Sequence, residues 1–314
     1  MSDDIAEEPV TPEEPVTPEE PVTRAEQLSY LAIAAVEKAA RALPTRTGRV
    51  IFGWLASAAY HLLPGVRAVV AANQARVLDR SPGDPLVIAS TKEAFRLYAR
   101  YWFDTFHVIE WPQDEIRRRF VFEGLEHVRG PLEAGTGVIC VLPHMGNWDV
   151  AAMAMCANGF DVVSVAEVVR PPALFALFTR LRQEMGVEVI GLTEGGRIGP
   201  RLSAELARNR LVALVADRDL SGRGVPVRMF GAPRPLPVGP AMLALTSDAP
   251  IVVCDVFQRP DGWRCVMHPL PDVARSGDRR ADVLAITQAM AEAFEDAISA
   301  SPPDWHMFQP AWET

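Results

Sequence analysis

A chain of 314 residues with 49% hydrophobic and 23% charged side chains, and a mean hydropathy of +0.07, can build one large globular domain or two ordinary ones. That composition excludes disorder, collagen or a coiled coil for the chain as a whole, and a polytopic membrane protein. The net charge of -9 arises in residues 1–23, which hold eight acids and no Lys or Arg; the remainder carries 31 basic against 32 acidic side chains, so no basic excess calls for nucleic acid.

In chain order, residues 1–24 read as a disordered acidic arm. Residues 7–23 repeat EEPVTP, where proline at every third position blocks a helix and paired glutamates repel. The first residues are acidic where a signal peptide would be basic and then apolar, so secretion is not expected. Residues 25–112 form a helical, membrane-associating part. Apolar spacing predicts helices over about 26–42, 49–62 and 66–78, broken at Pro44 and Pro64. The stretch from Val50 to Val66 has no charged residue but is shorter than the roughly 20 apolar residues of a membrane span. It reads as a helix at a membrane surface or as a core helix. A fourth helix, from Lys92 to Ile109, is ringed by Phe95, Tyr98, Tyr101, Trp102, Phe103 and Phe106, either as packed core or as lining for a lipid chain.

Residues 113–314 alternate short β-rich runs with helical stretches. Strands are predicted at 138–142, 162–165, 187–190, 211–215 and 251–256, and helices at about 148–158, 172–185, 199–209, 238–247 and 281–298. This is the pattern of an α/β fold: a central, mostly parallel sheet flanked by helices. The chain then ends in a tail rich in Pro and Trp, residues 302–312. Cys140, Cys156, Cys254 and Cys265 lie in apolar runs with no CxxC pair and read as reduced core cysteines of a cytosolic protein.

Function in such a fold belongs at the carboxyl ends of the strands. There the first predicted strand runs into Pro143-His144-Met-Gly-Asn-Trp-Asp149, the second ends at Glu167 and Arg170 with Arg180 and Arg182 on the following helix, and the fourth runs into Asp217-Arg218-Asp219. His144 and Asp149 flank a Gly146-Asn147 turn that can return the carboxylate to one imidazole nitrogen while the other faces the cleft. That is the geometry of a general base held in one tautomer, or of a satisfied structural histidine. No G-x-S-x-G elbow is present, no G-x-G-x-x-G follows a strand, and Gly195-Gly196 reads as a turn. His144 has no second histidine or cysteine at metal-ligand spacing.

The PHMGNWD segment resembles the His-x4-Asp motif of the glycerolipid acyltransferase superfamily. More narrowly, the chain is similar to the branch that holds lipid A lauroyl acyltransferases and actinobacterial phosphatidylinositol mannoside acyltransferases. The resemblance covers residues 25–312. It is carried further by Val165-Ala-Glu-Val-Val-Arg-Pro-Pro-Ala-Leu-Phe175 continuing to Arg182-Gln-Glu-Met-Gly186, by Leu214-Val-Ala-Asp-Arg-Asp-Leu220, and by Phe230-Gly leading to Pro237-Val-Gly-Pro-Ala-Met-Leu-Ala-Leu245. It implies His144 as general base, Asp149 as its orienting acid and Arg182 near the thioester. Asp217 stands where that branch usually has Glu, one methylene longer, and joins the catalytic set. Asn147, Glu167, Arg170, Arg180, Arg218 and Gly239 are implied in substrate or coenzyme binding, Arg218 and Asp219 also forming an ion pair.

The implied reaction, at the cytoplasmic face of the membrane, moves a long acyl chain, palmitoyl by analogy, from acyl-CoA to a mannose hydroxyl of a mannosylated phosphatidylinositol. It needs neither metal nor cofactor. Backbone N–H groups at the Gly146-Asn147 turn and Arg182 would meet the oxyanion. About 14 methylenes at roughly 0.8 kcal/mol each give on the order of 11 kcal/mol before entropic costs, so a long apolar groove is expected. Trp54, Tyr60 and Leu62-Leu63, beside Arg49 and Arg67, would hold its mouth at the lipid surface. The alternatives are a lipid A-type transfer from acyl carrier protein and a non-catalytic lipid-binding protein on the same scaffold.

Overall fold

A computed structural model describes residues 21–192, 198–220 and 222–312; the acidic repeat up to residue 20 and the Gly195-Gly196 turn lie outside the described residues. The first helix, α1 (Arg24–Ala42), is entered through a capping box: the Thr23 hydroxyl accepts from the Glu26 N–H, and the Glu26 carboxylate accepts from the Thr23 N–H. Then come α2 (Thr45–Leu62), α3 (Pro64–Val77) and α4 (Pro85–His107). α2 and α4 begin ahead of their expected starts because Pro44 and Pro85 open their first turns and Asp84 caps α4 through the Leu86 N–H.

The α/β part runs α5 (Gln113–Arg119), β1 (Phe120–Glu123), α6 (Glu126–Glu133), β2 (Val138–Leu142), α7 (Trp148–Ala157), β3 (Val162–Glu167), α8 (Pro172–Glu184), β4 (Glu188–Leu192), α9 (Ile198–Ala207) and β5 (Leu211–Val215). It continues through β6 (Val225–Met229), β7 (Ala232–Leu236), α10 (Gly239–Ser247), β8 (Ile251–Arg259), β9 (Gly262–Pro269) and α11 (Arg279–Ala300). The main sheet has the order β1-β9-β8-β2-β5-β3-β4, with every neighbouring pair parallel except β8 and β9. The five strands expected from sequence are β2, β3, β4, β5 and β8; β1, β9 and the β6-β7 hairpin are additions. That hairpin turns through Phe230 and Gly231, both left-handed (φ +48° and +72°), as a two-residue type I′-like loop requires.

β2 is buried on both faces and β5 on one face with the other half-buried, and both read as continuous apolar runs for that reason. Ile139, Val141, Val212 and Leu214 pack under α10 and α11, whereas Cys140, Leu142, Cys254 and Val256 face α7. All four cysteines are unpaired. The N-terminal helices join α8 around Phe52, Phe103, Phe106, Leu174 and Leu177. No single described helix is long and apolar enough to cross a membrane; α2 and α3 together pass that test but meet at 95°.

Candidate active site

β2 and β5 pair in a register that places Leu142 opposite Val215. His144 and Asp217 each follow two residues after that rung, so parallel pairing alone delivers them side by side at the sheet's carboxyl end. His144 Nδ1 lies 2.5 Å from Asp217 Oδ1. The other carboxylate oxygen accepts from Trp305 Nε1 at 2.8 Å, and the Asp217 carbonyl accepts from Arg234 Nη2 at 2.5 Å. Arg234 is buried and its guanidinium lies over the Trp305 and Trp312 rings. Burial alone would raise the Asp217 carboxyl. The His144 charge and hydrogen bond, the Arg234 charge and the indole N–H outweigh it and hold the group well below the usual carboxylate range. In the neutral imidazole an ionised carboxylate at Nδ1 fixes the proton on that nitrogen, and the lone pair then lies on Nε2.

The expectation that Asp149 orients His144 is corrected. Asp149 lies in the first turn of α7, where its carboxylate accepts from Arg182 Nε at 2.8 Å, from Arg182 Nη2 at 3.4 Å and from the Tyr101 hydroxyl at 2.6 Å. It therefore ties α7 to α8 and α4. Arg182 gains from the pairing, which outweighs the effect of burial and raises its pKa above the ordinary value. Asn147 is also spent structurally. Fully buried, it caps α7 through the Val150 N–H and donates to the Tyr101 carbonyl and the Thr105 hydroxyl.

Between these groups the strand-to-helix turn requires a glycine. Gly146 has φ +62°, and a Cβ there would stand 2.2 Å from the Val256 carbonyl oxygen. The turn is strapped from the other side by the tail. The His306 N–H donates to the His144 carbonyl at 2.7 Å, the Gly146 N–H donates to the Asp304 carbonyl at 2.9 Å, and His306 Nε2 donates to the Gly146 carbonyl at 2.8 Å. The Gly146 amide is thus committed and is not an oxyanion donor, correcting that expectation. Trp305 and His306 belong to a tail visible as Pro-Trp-rich in the sequence, but nothing there couples them to position 217. Tyr101 stands in the sequence as one aromatic among six on its helix, with nothing to mark its bond to Asp149.

A cavity of about 300 Å³ opens beside His144, lined also by Trp148, Asp149, Arg182, Glu167 and Arg218. The Trp148 ring stands edge-on to the imidazole at 5.2 Å. Three expected binding residues lie elsewhere. Arg170 pairs with Glu26 of α1, Arg180 pairs with Glu37 and Glu184, and Gly239 only opens α10. The two arginines are claimed by acids of the helical part, and this removes them from the cavity wall. Two apolar spaces adjoin the cavity. One is a groove of about 540 Å³ among α1, α2 and α4, sharing Tyr98, Trp102 and Phe178 with it. The other is a narrow void of about 50 Å³ between the sheet and α7, sharing Trp148, Asp149 and Arg182. Among the described residues no cluster of three His, Cys, Asp or Glu could hold a metal ion.

This arrangement, an imidazole paired with a buried carboxylate and flanked by apolar space, suits chemistry on a lipid substrate. Comparison with known proteins agrees. Residues 22–314 match the model of the bacterial lipid A biosynthesis acyltransferase family. A phosphatidylinositol mannoside acyltransferase of Mycobacterium tuberculosis is 38% identical over 287 residues, covering 90% of this chain and 87% of its own. A protein of the same name from Mycolicibacterium smegmatis is 36% identical over 290 residues, covering 91% and 92%. The chain belongs to the bacterial lipid A biosynthesis acyltransferase family.

Proposed function

We propose that the protein transfers a long acyl chain from acyl-CoA to a mannose hydroxyl of phosphatidylinositol mannoside at the inner face of a membrane. The observation that carries the reading is the His144–Asp217 pair at a cavity that adjoins an apolar groove of about 540 Å³, so that an acyl chain has somewhere to go. The relatives' names supply the acceptor.

His144 Nε2 takes the proton as the hydroxyl oxygen attacks the thioester carbonyl and the new C–O bond forms. Asp217 stabilises the imidazolium without taking its proton. The C–S bond then breaks, and the thiolate leaves with the proton from His144. Arg182 uses Nε and Nη2 on Asp149, which leaves Nη1 to face the developing oxyanion. Deprotonation by a positioned base is worth roughly 10²–10⁴-fold.

Mass spectrometry of the products from a mannosylated phosphatidylinositol acceptor, given palmitoyl-CoA or palmitoyl-acyl carrier protein at matched concentration, tests the reading. Faster transfer from palmitoyl-CoA is expected. Faster transfer from the carrier protein would give the lipid A-type donor instead, and no transfer from either would return the scaffold to lipid binding.

A further inference from the structure

Among the described residues, a cleft larger than the catalytic one lies apart from it. It measures about 990 Å³ and lies where the β8-β9 turn meets the start of α2 and the end of α5. Its wall holds Arg46, Arg49, Arg118, Arg119 and Arg259 against a single acid, Asp261. Three of the arginines lean on acids just behind the wall. Arg49 pairs with Asp104, which also serves Arg100, and Arg118 and Arg119 share Glu115. Arg46 and Arg259 are exposed, and no ion pair joins them to another described residue. Cations therefore outnumber acids in a concave site, where their fields add.

A second feature points to the same ligand. α2, of 18 residues, opens into this cleft at Pro44, Thr45 and Arg46 with no side-chain cap and no acid in its first turn. Its free N–H groups and the positive end of its dipole thus face the cations, an arrangement that suits a phosphate. A third feature selects the source of the phosphate. Along α2, Arg46 is followed at helical spacing by Val50 and Trp54, 52% and 71% exposed, and Val121 on the cleft wall is also exposed. The anion site is continuous with a bare apolar stripe, as a lipid headgroup demands and a free phosphate does not.

We infer that this cleft binds the phosphodiester headgroup of an anionic membrane lipid, which is neither acyl donor nor acceptor, and so seats α2 on the bilayer. The inference rests on the proposed membrane-surface role but not on the chemistry at His144.

The test is co-sedimentation with vesicles of phosphatidylcholine, alone or mixed with phosphatidylglycerol, using Arg46→Ala/Arg259→Ala and, as a charge-matched control, Arg201→Ala/Arg280→Ala on other surfaces. The cleft variant should lose about 30-fold in partitioning to the mixed vesicles, and the control less than about threefold. His144→Ala should bind like wild type even though it does not turn over, which separates this test from that of the reaction. Matched melting temperatures check folding; if the alanine pair melts early, Arg46→Gln/Arg259→Gln replaces it. Equal losses in both variants would reduce the effect to general surface charge, and unchanged binding in both would remove the site. Displacement of the protein from mixed vesicles by millimolar inorganic phosphate would assign the cleft to a soluble anion. A defect limited to transfer from acyl carrier protein would assign it to a protein partner. Each of these outcomes overturns the inference.

Discussion

Asp149 and Asp217 show how two carboxylates near one histidine divide their work. Asp149 is bound to Arg182 and Tyr101, so replacing it removes a buried anchor between three helices. Asp149→Asn should cost about 2 kcal/mol, less than a fully buried pair because Arg182 is partly exposed, and lower the melting temperature by several degrees. Calorimetry alongside a turnover assay checks this; lost turnover with unchanged melting would return Asp149 to the imidazole.

The strap behind the turn makes a pH prediction. Burial raises the Asp304 carboxyl from 3.8 to about 6 and lowers the His306 imidazole from 6.5 to about 3. Between about pH 4 and about pH 6 native Asp304 holds a proton that the unfolded chain has released, so its contribution to stability falls as pH rises. In the same window unfolded His306 holds a proton that the native site refuses, so its contribution rises with pH. The two slopes oppose each other. Denaturant unfolding at about pH 4 and about pH 6 should therefore show Asp304→Asn gaining on wild type as pH rises, and His306→Gln losing. Both variants tracking wild type would contradict these buried titrations.

At the scale of elements, α2 crosses α4 so closely that a Cβ on Gly48 would stand 2.0 Å from Phe103 Cε2. Gly48→Ala should force the Phe103 ring or α2 outward, at about 1–3 kcal/mol, despite alanine's better helix propensity. A variant as stable as wild type by denaturant unfolding would mean that the contact yields freely. The same helices show what sequence makes legible. Long periodic segments such as α1 and α11 are found from spacing because one face must be apolar. β1 has four residues, too few to show a period, and β9 joins the sheet only by pairing with β8 and β1. The proline start of α2 is hidden in the sequence by its polar first turn, Thr45-Arg46-Thr47.

For the molecule as a whole, the parallel sheet and the His144 turn were legible because buried central strands write continuous apolar runs and end in the polar loops that hold sites. The identity of the histidine's partner was not. It depends on β2-β5 register across 73 residues and on a tail that returns from position 305, and neither leaves a local pattern. The expected coenzyme arginines lie off the cavity wall for a related reason: Arg170 and Arg180 meet Glu26 and Glu37 on α1, from a separate part of the chain. The charge reading was right in total and missed its distribution, since a near-neutral folded part still concentrates five arginines in one cleft.

In the proposed mechanism Asp217, through His144, drives acyl transfer. Measuring the turnover of Asp217→Asn with palmitoyl-CoA and a mannosylated phosphatidylinositol tests it most directly, with a melting curve to establish folding. Asparagine keeps the volume and a hydrogen bond but offers Nδ1 an uncharged partner that cannot stabilise the imidazolium. A fall of about 10²–10⁴-fold in kcat with little change in KM is expected. A folded Asp217→Asn enzyme within tenfold of wild type would contradict it.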